Sequence, residues 1–373
     1  REDAAFEAAE ISVEDLMLWA ASSVFSAHHG TRNGIPDGTG AISVKPVAAQ
    51  SATVNNTEYL LEHTHTLPFC DWSRGKTIGR MRDVVSIRVR WSEPSDLKTA
   101  LEAASLVQDL IALATYRAAG VIWLQLEIAG TKALLPDGRM LPPRRADVLY
   151  CPVAVGKPDE KALDPGSVLF TCEMLPFEEL MPRWCEVRGK LQAAINMILG
   201  LRYAPARFVE NNLLMAVGAA EALHRGLGIE EKPIPEAEFK KIRNGMLGQM
   251  PEEYRGRFKE MIRNSPTLRD RLLALAARLD QGTIRQLVPD VDHWAKRTTQ
   301  ARNNLAHEGK TPSHSIDELI AIVRVTSAVV VLNVLHELGL PVERQRQIVR
   351  DHPQLRMICK KAREWLVPPE GDS

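Results

Sequence analysis

Three side chains in the segment Ala301-Arg302-Asn303-Asn304-Leu305-Ala306-His307-Glu308-Gly309 have types that suit acid–base chemistry on a phosphate ester. His307 can give or take a proton near neutral pH. Arg302 can present a planar fork of donors to phosphate oxygens and support negative charge as it builds. Asn303 can hold the imidazole or the phosphate in place. This set asks for no metal and no organic cofactor, and none is expected.

By itself the pair is a weak signal. With 32 Arg and 10 His in 373 residues, chance supplies on the order of one Arg followed five positions later by His. A competitor at wider spacing, Arg346 with His352, lacks the Asn-Asn pair and has no long apolar helix behind it. Context favours Arg302 and His307. They end a helix expected over 290–307, with Gly309 and Pro312 as the break. A long apolar helix follows over 315–338, opened by Ser315 and Glu318 as a capping box and closed by Gly339 and Pro341. On an ideal helix Asn303 and His307 share a face, whereas Arg302 diverges from His307 by about 140°. A long arginine can reach around, above all into a cleft shared with a second copy.

The elements that position this segment fall into two regimes. Up to about residue 178 strands and helices alternate. Val85, Ile87, Val89 and Trp91 alternate with polar residues, which predicts a half-buried strand. A helix follows, with Ser95 as N-cap and Gly120 as stop. Strands are expected over 121–128, 148–155 and 168–174, a turn at Pro136-Asp137-Gly138, and a loop over 156–166. Beyond 178 strand signals nearly stop, and helices are expected over 180–200, 206–226, 236–248, 251–263, 267–280, 290–307, 315–338 and 354–366. The fold class is therefore α+β: a mixed α/β sheet domain over 1–177, then an all-α helical-bundle domain over 178–373.

Composition narrows the function. Five scattered cysteines without a CxxC pair argue against a disulfide framework or a zinc ribbon and fit a cytoplasmic protein. The most apolar stretch, 316–335, carries Asp317, Glu318, Arg324 and Asn333 and reads as a core helix, so no membrane partner is expected. The first residue is Arg1 rather than Met, from which a missing natural N-terminus is expected. Residues 1–180 hold 17 basic and 24 acidic side chains, and 181–373 hold 30 and 23. The basic half is the better candidate for a polyanion, unless the two halves simply neutralise each other.

The segment RNNLAH resembles the signature of the HEPN superfamily: Arg, four to six residues of which the first is polar, then His. The wider chain resembles the ApeA-like branch, through FVENNLLMAVGAAEALHR (208–225), ISVEDLMLW (11–19) and the strand-helix-strand of 84–128. The resemblance implies an α+β first domain with sensing or regulatory duty and a helical HEPN nuclease domain. It implies a metal-independent endoribonuclease of bacterial anti-phage, abortive-infection defence, in which a 2′-hydroxyl attacks the adjacent phosphate. Arg302, Asn303 and His307 are then catalytic, and Glu221 a supporting residue, against the alternative of a capping or surface role. Lys296, Arg297 and Lys310 flank the motif as substrate contacts, against the alternative of a solvated charged face. The partners implied are RNA, transfer RNA among the candidates, a second copy in a homodimer or higher even-numbered assembly, and a phage-derived trigger. The alternative is a non-catalytic module of the same fold that binds RNA or a nucleotide, or serves only interaction.

Other residues are read as structural. His63, His65 and Cys70 (HTHTLPFC) lack a fourth ligand, and His28-His29 is a loop pair. Trp91, Trp123 and Trp184 are expected in cores, and Gly226, Gly228 and Gly245 lack phosphate-loop spacing.

Overall fold

The computed structural model describes residues 3–149, 163–229 and 232–367. The chain divides into two compact units, between Gly189 and Lys190.

The first unit begins with β1 (Phe6–Val13) and α1 (Leu16–Ala20). A hairpin of β2 (Phe25–Arg32) and β3 (Ile35–Val44) follows, then β4 (Gln50–Val54), β5 (Thr57–Ser73) and β6 (Lys76–Ser95). After α2 (Leu97–Thr115) come β7 (Val121–Ile128), β8 (Ala133–Leu134), β9 (Met140–Leu141), β10 (Arg145–Asp147) and α3 (Phe177–Lys190). Six strands form one antiparallel sheet in the order β10-β7-β1-β6-β5-β4.

The expected alternation holds in β6: Val85, Ile87 and Val89 are buried. Its other face is not simply solvated. Ser86 and Arg88 donate to buried Glu10, at 3.0 and 3.1 Å, and Arg145 bridges Glu10 and Glu127, both at 2.9 Å. Central β1 is thus buried on both faces, carbon on one and paired charge on the other.

Against expectation, α2 is capped by Asp96, whose carboxylate accepts from Thr99 N at 2.8 Å, one residue after Ser95. It ends at left-handed Tyr116 rather than at Gly120. Val168, Leu169 and Phe170 are buried, yet 168–174 is not a strand. Its amides bond out of register, Leu169 to Ala114 and Cys172 to Trp19. Val148 and Leu149 are not in a strand, and 150–155 lies outside the described residues. The 180–200 helix is two helices that break at Leu191. The first of them, α3, belongs to the first unit, one helix past the expected boundary. Fully buried Trp184 donates its indole N–H to Leu106 O, and Arg188 pairs with Asp109. Trp91 and Trp123 are half-buried.

The second unit is helical: α4 (Gln192–Tyr203), α5 (Val209–Gly226), α6 (Glu236–Gly248), α7 (Glu252–Met261), α8 (Leu268–Ala277), α9 (Gln281–Leu287), α10 (Val291–Glu308), α11 (Ile316–Glu337), α12 (Val342–Asp351) and α13 (Pro353–Trp365). Short α9 and α12 stand outside the helices expected from the sequence. α11 is the core helix. It is long and apolar enough to cross a membrane by length and composition, but 78% of its most apolar window is buried. It packs on α5, α13, α4 and α8. Buried Asn333 donates to Leu275 O and Val329 O and accepts from Arg278, so its amide is fully used.

Candidate active site

α10 carries the motif, and local chemistry fixes both of its ends. Asp290 caps the start, accepting from His293 N at 2.8 Å. Gly309 ends it in the left-handed region at φ 67°, its N–H bonded to Leu305 O. Trp294, Ala295, Thr298 and Ala301 face the core. Lys296, Gln300, Asn303 and His307 fall within an arc of about 60° on the opposite side, and all four are exposed. Arg302 lies away from that stripe and is half-buried. Its Nη1 donates to Asn303 Oδ1 at 3.4 Å, which turns the guanidinium back toward the stripe. Arg302, Asn303 and His307 therefore occupy the last two turns of one helix. Lys310 follows the cap and is exposed.

Two flanking residues have structural duties. Arg297 chelates Glu318, with Nη2 2.7 Å from Oε2, and donates to Ser313 O at 2.6 Å. It fastens α10 to the start of α11. The expected capping box at α11 is accordingly half formed: Ser315 Oγ accepts from Glu318 N at 3.1 Å, while the Glu318 carboxylate goes to Arg297. Glu221 on α5 pairs with Arg271 on α8 at 3.5 Å, a link between helices.

Sequence reasoning passes over His314. In this loop Asn304 Nδ2 donates to Ser313 Oγ at 3.4 Å, Ser313 Oγ lies 3.1 Å from His314 Nδ1, and His314 Nε2 lies 3.1 Å from Arg297 O. A carbonyl can only accept, so Nε2 carries the proton and Nδ1 accepts from Ser313. Burial, and then the nearby Arg297 charge, hold the His314 pKa below the usual histidine value. The Ser-His pair directly before the cap Ser315 is the signal that could have pointed to it.

His63, away from the motif, has a structural duty too. Both nitrogens of His63 are engaged, Nε2 with Ser22 Oγ at 2.9 Å and Nδ1 with Asp83 at 3.0 Å. The order is that of a nucleophile–base–orienter relay, but the imidazole is only 3% exposed, and the set ties the exit of α1 to the β5–β6 hairpin. Arg346 chelates Asp280, the cap of α9, and His352 is 2% exposed. Among the described residues no group of three or more His, Cys, Asp or Glu is placed to hold a metal ion.

An α+β domain built on an antiparallel sheet, followed by a helical bundle whose α10 ends in Arg-Asn-x-x-x-His, defines a two-domain protein of the HEPN class. The family model for ApeA N-terminal domain 1 matches residues 1–184, and that for Apea-like HEPN matches 214–344, so the chain belongs to the ApeA-like HEPN family. Membership implies a HEPN nuclease-type defence protein. No curated protein and no solved structure is significantly similar to the chain.

Proposed function

We propose that the protein is a metal-independent endoribonuclease of anti-phage defence, with its chemistry at the end of α10. The observation that carries this reading is the placement of Arg302, Asn303 and His307 on the last two turns of one helix, with exposed Lys296 on the same face as Asn303 and His307. His307 moves a proton between the RNA and water or a second histidine. Arg302 neutralises the phosphate as charge builds, and Asn303 orients the guanidinium. Lys296 and Lys310 hold flanking phosphates. Arg297 serves the same site by fixing the loop over 309–315. Glu221 supports the bundle from α5.

One chain supplies one histidine at this site, while the reaction uses both a base and an acid. Two copies whose motifs face one cleft supply both, which favours a homodimer or higher even-numbered assembly. The Arg302–His307 divergence suits such a cleft. The first test is to incubate wild-type protein and Arg302→Ala with total RNA. The reading predicts fragments with wild type alone. RNA binding without cleavage by wild type would favour a non-catalytic module.

A further inference from the structure

Two cavities of the second unit are neighbours. One, of about 700 Å³, lies among α4, α5, α11 and α13. The other, of about 550 Å³, lies along α13. Pro353 and Met357 line both and stand between them on α13, so a strand crossing that helix would meet both basins. Their charge is one-sided. Arg202, Arg207 and Arg324 line the first basin, and Arg356, Lys360 and Arg363 are among those lining the second. No carboxylate lines either. Arg207, Arg324, Lys360 and Arg363 form no ion pair among the described residues, although ion pairs are frequent elsewhere in the chain. The floor is apolar, with Ile320, Val323 and half-exposed Met357. At the rim Arg207 stacks over the ring of Phe208, which is 63% exposed.

Basic walls over an apolar floor are what an unpaired RNA strand needs: cations along the phosphates and flat surfaces for the bases. A small anion would use one basin and leave the cations of the other unmatched. Two copies pairing symmetrically through these basins would set like charges against each other. We propose that the two basins, with the α13 ridge between them, form a track for single-stranded RNA. This rests on the ribonuclease reading given above. On α11 the basin residues Ile320, Val323, Arg324 and Ser327 lie roughly 150° around the helix from Glu318 and Thr326, which bond to α10, so this surface is separate from the one that carries the motif.

The probe is a fluorescein-labelled ten-nucleotide oligouridylate, read by anisotropy on the full chain carrying His307→Ala to silence cleavage. Adding Arg324→Gln, Arg356→Gln and Lys360→Gln together should raise Kd at least tenfold. The slope of log K against log salt should shrink by about 0.7 for each phosphate no longer neutralised. Thermal melting checks the fold, and single Arg324→Gln and Lys360→Gln variants, expected at threefold or more each, decide the matter if the triple variant is unstable. A folded variant that binds within twofold of its parent, with an unchanged salt slope, overturns the track. So does uridine monophosphate displacing the probe as well, mole for mole, as unlabelled oligonucleotide. That result would define a small-anion pocket. The two readings fail separately. If wild type cuts RNA and the basin variants bind and cut as well, only the track is lost. If wild type never cuts yet basin variants lose binding, only the nuclease is lost.

Discussion

At the scale of residues, His307 and Arg297 make a useful contrast. His307 is exposed and makes no side-chain hydrogen bond among the described residues, so replacing it should remove chemistry and little else. His307→Ala and Arg302→Ala are each expected to lower RNA cleavage at least about 100-fold. The melting temperature of His307→Ala should stay within about 2 °C of wild type, as for an ordinary surface substitution. A variant that cuts at the wild-type rate removes that residue from the site. Arg297→Ala should behave in the opposite way. It strands Glu318 and opens the Ser313 contact, a loss of about 2 kcal/mol measured by denaturant unfolding, with activity falling as a consequence. The motif is legible in the sequence because its members stand within six positions of each other. Arg297 is not, because its partner lies 21 positions away across a loop. Glu318 reads as one half of a capping box, but a competing cation takes its carboxylate.

The joint between α10 and α11 decides whether the motif is held, and it titrates. His314 accepts from Ser313 and donates to Arg297 O. Protonation would turn the acceptor into a donor and add a second cation beside Arg297, with Glu318 as the carboxylate that faces it. A lowered histidine pKa means that the unfolded chain binds the proton first. The contribution to stability is present above the ordinary value of about 6.5 and is lost as pH falls toward the folded value. Protection from hydrogen exchange over 309–315, relative to the intrinsic exchange rate at each pH, is therefore expected to fall in wild type as pH drops below about 6.5. His314→Gln should flatten that dependence; an identical pH dependence in the variant would contradict the assignment. Helix boundaries are readable where caps announce them, as with Ser315 and Gly309. The strand expected over 168–174 fails because a short apolar run signals burial without fixing backbone pairing. β1 escapes notice as a strand because Phe6–Val13 is buried on both faces, its Glu10 satisfied by Arg88 and Arg145, so no alternation marks it.

For the whole molecule, the division into a sheet unit and a helical unit is legible from where strand signals stop, but its position is not. α3 looks like any other amphipathic helix until Trp184 and Arg188 are seen to bond to Leu106 and Asp109. Assembly follows from the chemistry: active protein is expected to be a dimer or higher even-numbered oligomer in light scattering, and a fully active monomer would contradict this. The unequal charge of the two halves motivates a second expectation. A nuclease acting on the host's own RNA needs an off state, and an acidic domain can compete with RNA phosphates for a basic one. A phage component that binds the first domain would then relieve the block by favouring the open state. Residues 190–373, compared with the full chain at matched concentration, should cut RNA faster and be more toxic in cells. A folded, assembled fragment that cuts more slowly would show that the first domain aids substrate binding instead.

The central claim is that Arg302, Asn303 and His307 cut RNA without a metal ion. Its most direct test is a single reaction: purified full chain, total RNA and excess EDTA, with fragment ends analysed by mass spectrometry and His307→Ala in parallel. Fragments ending in 2′,3′-cyclic phosphate with wild type, and none with the variant, are the predicted result. Cleavage that stops in EDTA and returns with magnesium or manganese, or that persists in the variant, contradicts it.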